Sequence, residues 1–195
     1  MMRNKPSRVI AVTGGSGVGK GEVCRILACR GVEIIDTDSL SHSTILRGAT
    51  PAYDEITAEF GCGILNNDGE IDRKKLGAIV FADKAKLTVL SKIVHKYVRA
   101  QCEEIVRKST GKVIAIDAPA LVEAGMQDMC DTIIGIFADR DLRIQRITAR
   151  DGISREAAEK RINSQMPDAE LRGHVDIAID NNGTLQELEG KLREI

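Results

Sequence analysis

The sequence predicts an α/β fold built on a parallel sheet, and three observations carry that expectation. Short apolar, largely β-branched runs recur at residues 9–12, 32–35, 113–116 and 132–137, each followed within two residues by glycine or a carboxylate. Segments of helical period lie between them, as the crossovers of a parallel sheet require. Between the first run and the first helical segment stands Thr13-Gly14-Gly15-Ser16-Gly17-Val18-Gly19-Lys20, a glycine-rich turn where strand passes into helix.

Length and charge bound the answer before any motif does. A chain of 195 residues suits one domain, or a core with an inserted subdomain. With 28 Lys and Arg against 29 Asp and Glu, nothing global marks a nucleic-acid or membrane partner. Five cysteines without a C-x-x-C pair argue against a disulfide framework and against a zinc site. Residues 1–8 are basic and polar, and no run reaches the length of a signal segment or membrane span, so a soluble cytoplasmic chain is expected. Scarce aromatics and the absence of Trp disfavour base-stacking RNA modules. Oligomeric state is left open.

Taken in order, the first element with chemistry is the glycine-rich turn. Glycines at 14, 15, 17 and 19 let the backbone turn sharply and aim N–H groups inward, while the new helix adds the positive end of its dipole and Lys20 a full charge. A nucleotide triphosphate fits this nest, with Gly14, Gly15, Ser16, Gly17, Val18, Gly19, Lys20, Gly21 and Glu22 as its candidate contacts. The spacing satisfies G-x-x-x-x-G-K, but the next position, where Ser or Thr would hold Mg²⁺, is Gly21. The run at 32–35 ends in Asp36-Thr37-Asp38. Ligands of open parallel sheets sit beyond the carboxyl ends of the strands, where Asp36 and Asp38 can hold Mg²⁺ or take a proton from an attacking hydroxyl. The competing role for Asp38 is the N-cap of a helix beginning at Ser39.

Residues 43–110 show no clean strand. Helical patterns at 51–60, from 72 toward 81, and at 87–106 make this a mostly helical insertion, long enough for a lobe that grips a second substrate. His95 could face that substrate, against the commoner structural or solvated role of a lone histidine. Lys74, Lys75, Lys92, Lys96 and Arg99 read chiefly as solvated helix charge. The run at 113–116 is of the doubly buried kind, and the Asp117 that ends it resembles the second carboxylate of phosphate-loop enzymes, on the metal or its waters. Pro119 suits a helix start, with Leu121 and Val122 packing inward and Glu123 either reaching the site or lying on the surface.

After the strand at 132–137 come Arg140, Arg143, Arg146, Arg150, Arg155, Lys160 and Arg161. Arg146 and Arg150, four apart and on one helical face, are the expected pair over the nucleotide. An exposed helix whose arginines pair with neighbouring carboxylates is the alternative. Residues 175–179 read as the last strand, 180–183 as a turn whose asparagines reach a base edge or satisfy the backbone, and 185–195 as a closing helix.

In this order, Thr13 to Lys20, Ile35-Asp36-Thr37-Asp38, Asp117 to Glu123, Arg146 to Gly152, Arg161 to Gln165 and Asp180 to Gly183 together resemble the dephospho-coenzyme A kinases. The likeness runs along nearly the whole chain. It implies a parallel-sheet P-loop NTPase core of the nucleoside monophosphate kinase type at 8–42 and 111–195, an inserted helical acceptor lobe at about 43–110 and a lid at about 146–165. It also implies transfer of the γ-phosphoryl of ATP to the ribose 3′-hydroxyl of dephospho-CoA, with Mg²⁺ as cofactor. Lys20 would then hold the transferring phosphates, Asp38 act as base, Arg146 and Arg150 belong to the lid, and Asn182 and Gly183 to the adenine pocket. Asp36 and Asp117 stand as metal candidates; Asp38, His95, Pro119, Leu121 and Glu123 stand on the acceptor side. Two positions depart from the family pattern: Gly21 replaces Ser or Thr, and Lys96 replaces a proline after the histidine. A nucleotide-binding module of weak or no turnover and a different nucleoside or nucleotide kinase are the alternatives, the Gly-Gly-Ser-Gly start also resembling uridine kinase.

Overall fold

In the computed structural model, which describes residues 8–194, a five-stranded sheet has the order β2-β3-β1-β4-β5. The strands are β1 (Arg8–Thr13), β2 (Glu33–Asp36), β3 (Val113–Asp117), β4 (Thr132–Phe137) and β5 (Ile177–Asp180). The helices are α1 (Lys20–Cys29), α2 (Thr37–Thr44), α3 (Ala52–Phe60), α4 (Arg73–Phe81), α5 (Lys84–Lys108), α6 (Arg140–Asp151), α7 (Arg155–Asn163), α8 (Asp168–Leu171) and α9 (Leu185–Lys191). Residues 1–7 of the basic N-terminal stretch and Ile195 of the expected closing helix lie outside the described residues.

β1 is the middle strand of the sheet, and both of its faces are covered. It runs parallel to β3 and to β4, with Val12 opposite Asp117 on one side and Ile134 on the other, and residues 9–13 are all buried. A strand covered on both faces has no polar alternation to show, which is why this run reads as continuous apolar sequence. α1 lays Val23, Ile26 and Leu27, at the i, i+3, i+4 spacing of one helical face, against Val12, Ile134, Ile136 and Leu188. Carboxylates fix two strand starts: Asp131 accepts the Val9 N–H and Asp176 the Ile133 N–H, each at 2.7 Å.

The chain divides into two compact units, one formed by residues up to Ile35 together with those from Val106 onward, the other by Asp36–Ile105. The first holds the sheet core. The second is helical, and its strand pairing among the described residues is a single antiparallel bridge, Leu65 with Ile71. Its interior gathers Ile56, Ile64, Leu76 and Val80 against Leu87, Leu90, Val94 and Tyr97 of α5, the helix-spaced positions of that segment.

Three local expectations are corrected. Residues 119–125 form successive turns, Ala124 N–H bonding to Ala120 O at 2.9 Å and Met126 N–H to Leu121 O at 3.1 Å, and not a continued helix. Leu121 and Met126 are both fully buried, and folding the segment back to bury the two together takes precedence over helix propensity. The last strand begins at Ile177, not Val175, because Asp176 is engaged at the start of β4. The helix after β2 begins at Thr37, and its cap is Asp36: Oδ1 accepts from the Asp38 and Ser39 N–H groups at 2.9 and 3.2 Å, and Oδ2 from the Ser39 hydroxyl at 2.7 Å. Asp38 is thereby relieved of the capping role.

Candidate active site

The loop at 14–19 joins β1 to α1, so the unpaired N–H groups of a fresh helix end open where the central strand stops. Gly19 is the N-cap with φ +93°, a conformation that favours glycine, and Lys20 is the first helical residue. Gly14 has no room for a side chain, since a Cβ there would stand 2.5 Å from the Ile136 carbonyl oxygen. Lys20 Nζ donates to Asp117 Oδ1 at the carboxyl end of β3, the side chains being 15% and 14% exposed. The cation of the loop and the carboxylate of the neighbouring strand are thus brought together.

α6 and the segment after it hold the loop from outside. Arg143, 4% exposed, donates Nε to Ser16 O at 2.9 Å, Nη1 to Asp168 at 2.9 Å and Nη2 to Gln165 Oε1 at 3.3 Å. Gln165 Oε1 accepts the Ser16 N–H at 2.9 Å, and its Nε2 donates to Ser16 Oγ at 3.2 Å. Arg146 donates to Gly17 O and Val18 O at 3.4 Å and to Asn181 O at 3.1 Å, while the buried Asn181 donates Nδ2 to Val18 O at 2.8 Å. A cleft of about 400 Å³ lies beside this network, with Arg140, Arg143, Gln165 and Asp168 in its wall.

Arg146 and Arg150 share a helix but not an environment. Arg150 is exposed and donates to Asp151 at 2.7 and 3.0 Å. Its guanidinium, with that of Arg161, holds the Asp151 carboxyl down to about 2. Glu22 is engaged by Arg25 at 2.5 Å, which holds its carboxyl below the usual range. Gly21 faces open space, nothing lying within 4 Å of a Cβ built there. Asn182 exchanges two hydrogen bonds with Asp139, at 2.8 and 2.9 Å, and a Cβ on Gly183 would collide with the Glu187 carboxylate. Pro119 offers its carbonyl to the Thr13 hydroxyl at 3.5 Å, Leu121 is fully buried and Glu123 is exposed.

In the helical unit Asp38 lies exposed in the first turn of α2, and His95 is half-buried on α5. Lys96 and the Tyr97 hydroxyl both donate to Glu55 Oε1 at 2.6 Å, so the lysine that replaces the family's proline is taken up within the lobe. Among the described residues no three His, Cys, Asp or Glu side chains cluster as a metal cage. Mg²⁺ in kinases takes one or two carboxylates, phosphate oxygens and several waters. Asp117, a carboxylate facing the loop lysine, fits that donor set, whereas Gly21 supplies no hydroxyl.

The residues that sequence reasoning undervalued are Arg143, Gln165, Asp168 and Asn181. In sequence Arg143 is one of a series of arginines and Gln165 ends the 161–165 motif, and neither is distinguished from its neighbours by local pattern. One signal was available for Arg143: Ile144 and Ile147 are apolar at the i, i+3 spacing of one helical face, and Arg143 and Arg146 each precede one of them by one residue; both isoleucines are buried.

A glycine-rich loop with its lysine against a strand-end carboxylate, on a 2-3-1-4-5 parallel sheet, defines a class of protein, the P-loop phosphotransferases acting on small molecules. The sequence matches the dephospho-CoA kinase family over residues 8–187, and the chain belongs to that family. The dephospho-CoA kinase of Geobacter sulfurreducens is 42% identical over 190 residues, 96% of each chain. That of Thermobifida fusca is 38% identical, over 95% of this chain and 93% of its own. Among solved structures, a Thermus thermophilus protein superposes with a TM-score of 0.83 at 28% identity, covering 97% of this chain and 96% of its own. The dephospho-CoA kinase of Campylobacter jejuni gives 0.68 at 26% identity, over 95% of both chains.

Proposed function

We propose that the protein transfers the γ-phosphoryl group of ATP to the ribose 3′-hydroxyl of dephospho-CoA, forming coenzyme A in the last step of its synthesis. The observation that carries this reading is the pairing of Lys20 with Asp117 beneath the glycine-rich loop of a chain belonging to this family. On that reading the loop N–H groups from Gly14 to Glu22 and the Lys20 ammonium cradle the β- and γ-phosphates, Lys20 exchanging Asp117 for phosphate oxygen. Asp38 accepts the proton of the 3′-hydroxyl as the new O–P bond forms and the bond to the ADP oxygen breaks. Arg146 and Arg150 offset charge on the equatorial phosphoryl oxygens, Arg150 leaving Asp151 to do so. Mg²⁺, when bound, neutralises the β- and γ-oxygens; Asp117 would hold it, with Asp36 a weaker candidate because its carboxylate already caps α2. Asn182 and Gly183 border the adenine, and His95, Pro119 and Glu123 the acceptor, with Leu121 shaping that side from beneath.

Gly21 does not move this reading toward a module without turnover. Mg²⁺ retains several waters in such sites, and the space beside Gly21 admits one more. The protein is read as cytoplasmic; no helix among the described residues is long and apolar enough to cross a membrane. The test is an acceptor panel. Purified protein with ATP and Mg²⁺ is expected to phosphorylate dephospho-CoA in preference to uridine, cytidine and nucleoside monophosphates. Preferred turnover of any of those would overturn the assignment.

A further inference from the structure

The helical unit carries polar groups that the reaction above leaves unused. On α2, His42 lies four residues beyond Asp38, on the same face and about 6 Å further along the axis. Arg73, the first residue of α4, contacts His42 Nε2 through Nη2 at 2.9 Å. A guanidinium has donors and no acceptor, so in this contact Nε2 is the lone-pair nitrogen and the ring proton sits on Nδ1. The two side chains border a hollow of about 430 Å³ together with Ser39, Ser43, Glu70 and Ile71. Both serine hydroxyls donate elsewhere, Ser39 to Asp36 at 2.7 Å and Ser43 to Leu40 O at 3.0 Å. Glu70 accepts the Arg47 N–H at 3.0 Å. The side-chain donors that these bonds leave uncommitted among the lining residues are therefore the remaining Arg73 N–H groups and His42 Nδ1–H.

We propose that His42 and Arg73 form an anion subsite that takes the diphosphate of dephospho-CoA. The proposal rests on the reading of Asp38 as the base for the 3′-hydroxyl. A planar guanidinium fork matches two phosphate oxygens at once, and among the described residues Arg73 forms no ion pair that such a ligand would have to displace. The spacing is that of the acceptor itself: a single ribose ring separates its 3′-hydroxyl from its 5′-diphosphate, and a single helical turn separates Asp38 from His42. The subsite would give the protein a grip on acceptors carrying a diphosphate that plain nucleosides cannot use.

The test is equilibrium binding of dephospho-CoA and of adenosine to the intact protein by titration calorimetry, for wild type, Arg73→Ala, Arg73→Lys and His42→Gln. Adenosine keeps the 3′-hydroxyl and lacks the diphosphate. Arg73→Ala is expected to weaken dephospho-CoA about tenfold or more, Arg73→Lys and His42→Gln by less, with adenosine unchanged throughout. If the alanine variant fails to fold, Arg73→Lys, which keeps stem and charge but loses the fork, still has to weaken dephospho-CoA selectively. Unchanged affinity for dephospho-CoA, an equal loss for adenosine, or no binding by the wild type overturns the subsite. Phosphoryl transfer is scored separately: transfer without sensitivity to Arg73 removes the subsite alone, and sensitive binding without transfer removes the proposed reaction alone.

Discussion

Replacing Arg143 by Met keeps most of the buried aliphatic stem and deletes the guanidinium that ties the phosphate loop to Gln165 and Asp168. Three attachments go at once: to Ser16 O at 2.9 Å, to Asp168 at 2.9 Å and to Gln165 at 3.3 Å. Asp168 is 37% exposed and regains water, so its loss is modest. Gln165 Oε1 keeps the Ser16 N–H at 2.9 Å, so the group left without its partner is the half-buried Ser16 carbonyl, at a cost of about 1–3 kcal/mol. For a chain of this length 1 kcal/mol corresponds to roughly 2–4 °C in Tm, so a fall of about 5 °C is expected. The functional consequence is separate from stability. Below the new Tm, with Ser16 no longer held on both its N–H and its carbonyl, the KM for ATP should rise several-fold, while the KM for dephospho-CoA stays near the parent value. Thermal melting and initial-rate kinetics on the same preparation check both parts. A Tm within about 2 °C of the parent with unchanged KM for ATP would refute the view that this network shapes the loop.

Gly21→Ser adds a hydroxyl where nothing lies within 4 Å of the new Cβ, so it should stabilise α1 by about 0.5 kcal/mol and lower the Mg²⁺ concentration that gives half-maximal rate; an unchanged metal titration would show that another oxygen already fills the place. Asp38→Asn removes the proposed base and should reduce kcat by about 10²–10⁴-fold with ATP affinity preserved, a split that steady-state kinetics resolves; near-normal kcat would place the base elsewhere. Hydrogen bonding to Arg150 and Arg161 depresses the Asp151 carboxyl from its ordinary 3.8 to about 2, so its stabilising contribution is present above pH 3.8 and lost as pH falls through that value toward 2. Asp151→Asn should therefore be less stable than the parent near neutrality, and denaturant titrations should show the gap closing between pH 4 and 2; a gap constant over that range would remove the assigned cause.

The middle of the sheet was legible because β1, β3 and β4 are buried strongly enough to leave a nearly unbroken apolar signature, whereas β2 and β5 are only partly buried. Val9 to Val12 and Val113 to Ile116 needed no tertiary information to be recognised, and the rule that acids and glycines follow such strands placed Lys20 and Asp117 among the candidates. What stayed hidden depends on contacts between residues distant in sequence. Nothing local to Gln165 says that its amide will hold Ser16, and nothing local to Arg150 says that it will turn to Asp151 while Arg146 reaches the loop. The cap on α2 is a subtler case: Asp36 and Asp38 are equally good capping residues, and only the point where β2 stops selects between them. The turns at 119–125 illustrate burial overriding propensity, since Leu121 and Met126 reach the core together only if the segment abandons the helix that Pro119 would favour.

Every residue role assigned above depends on a phosphoryl group moving from ATP to one particular hydroxyl. The most direct measurement incubates the purified protein with ATP, Mg²⁺ and dephospho-CoA and locates the new phosphate by ³¹P–¹H correlation NMR. The predicted result is coenzyme A, with the phosphorus coupled to the ribose H3′. Phosphate on any other oxygen, or no product from a folded protein that binds both substrates, would contradict it.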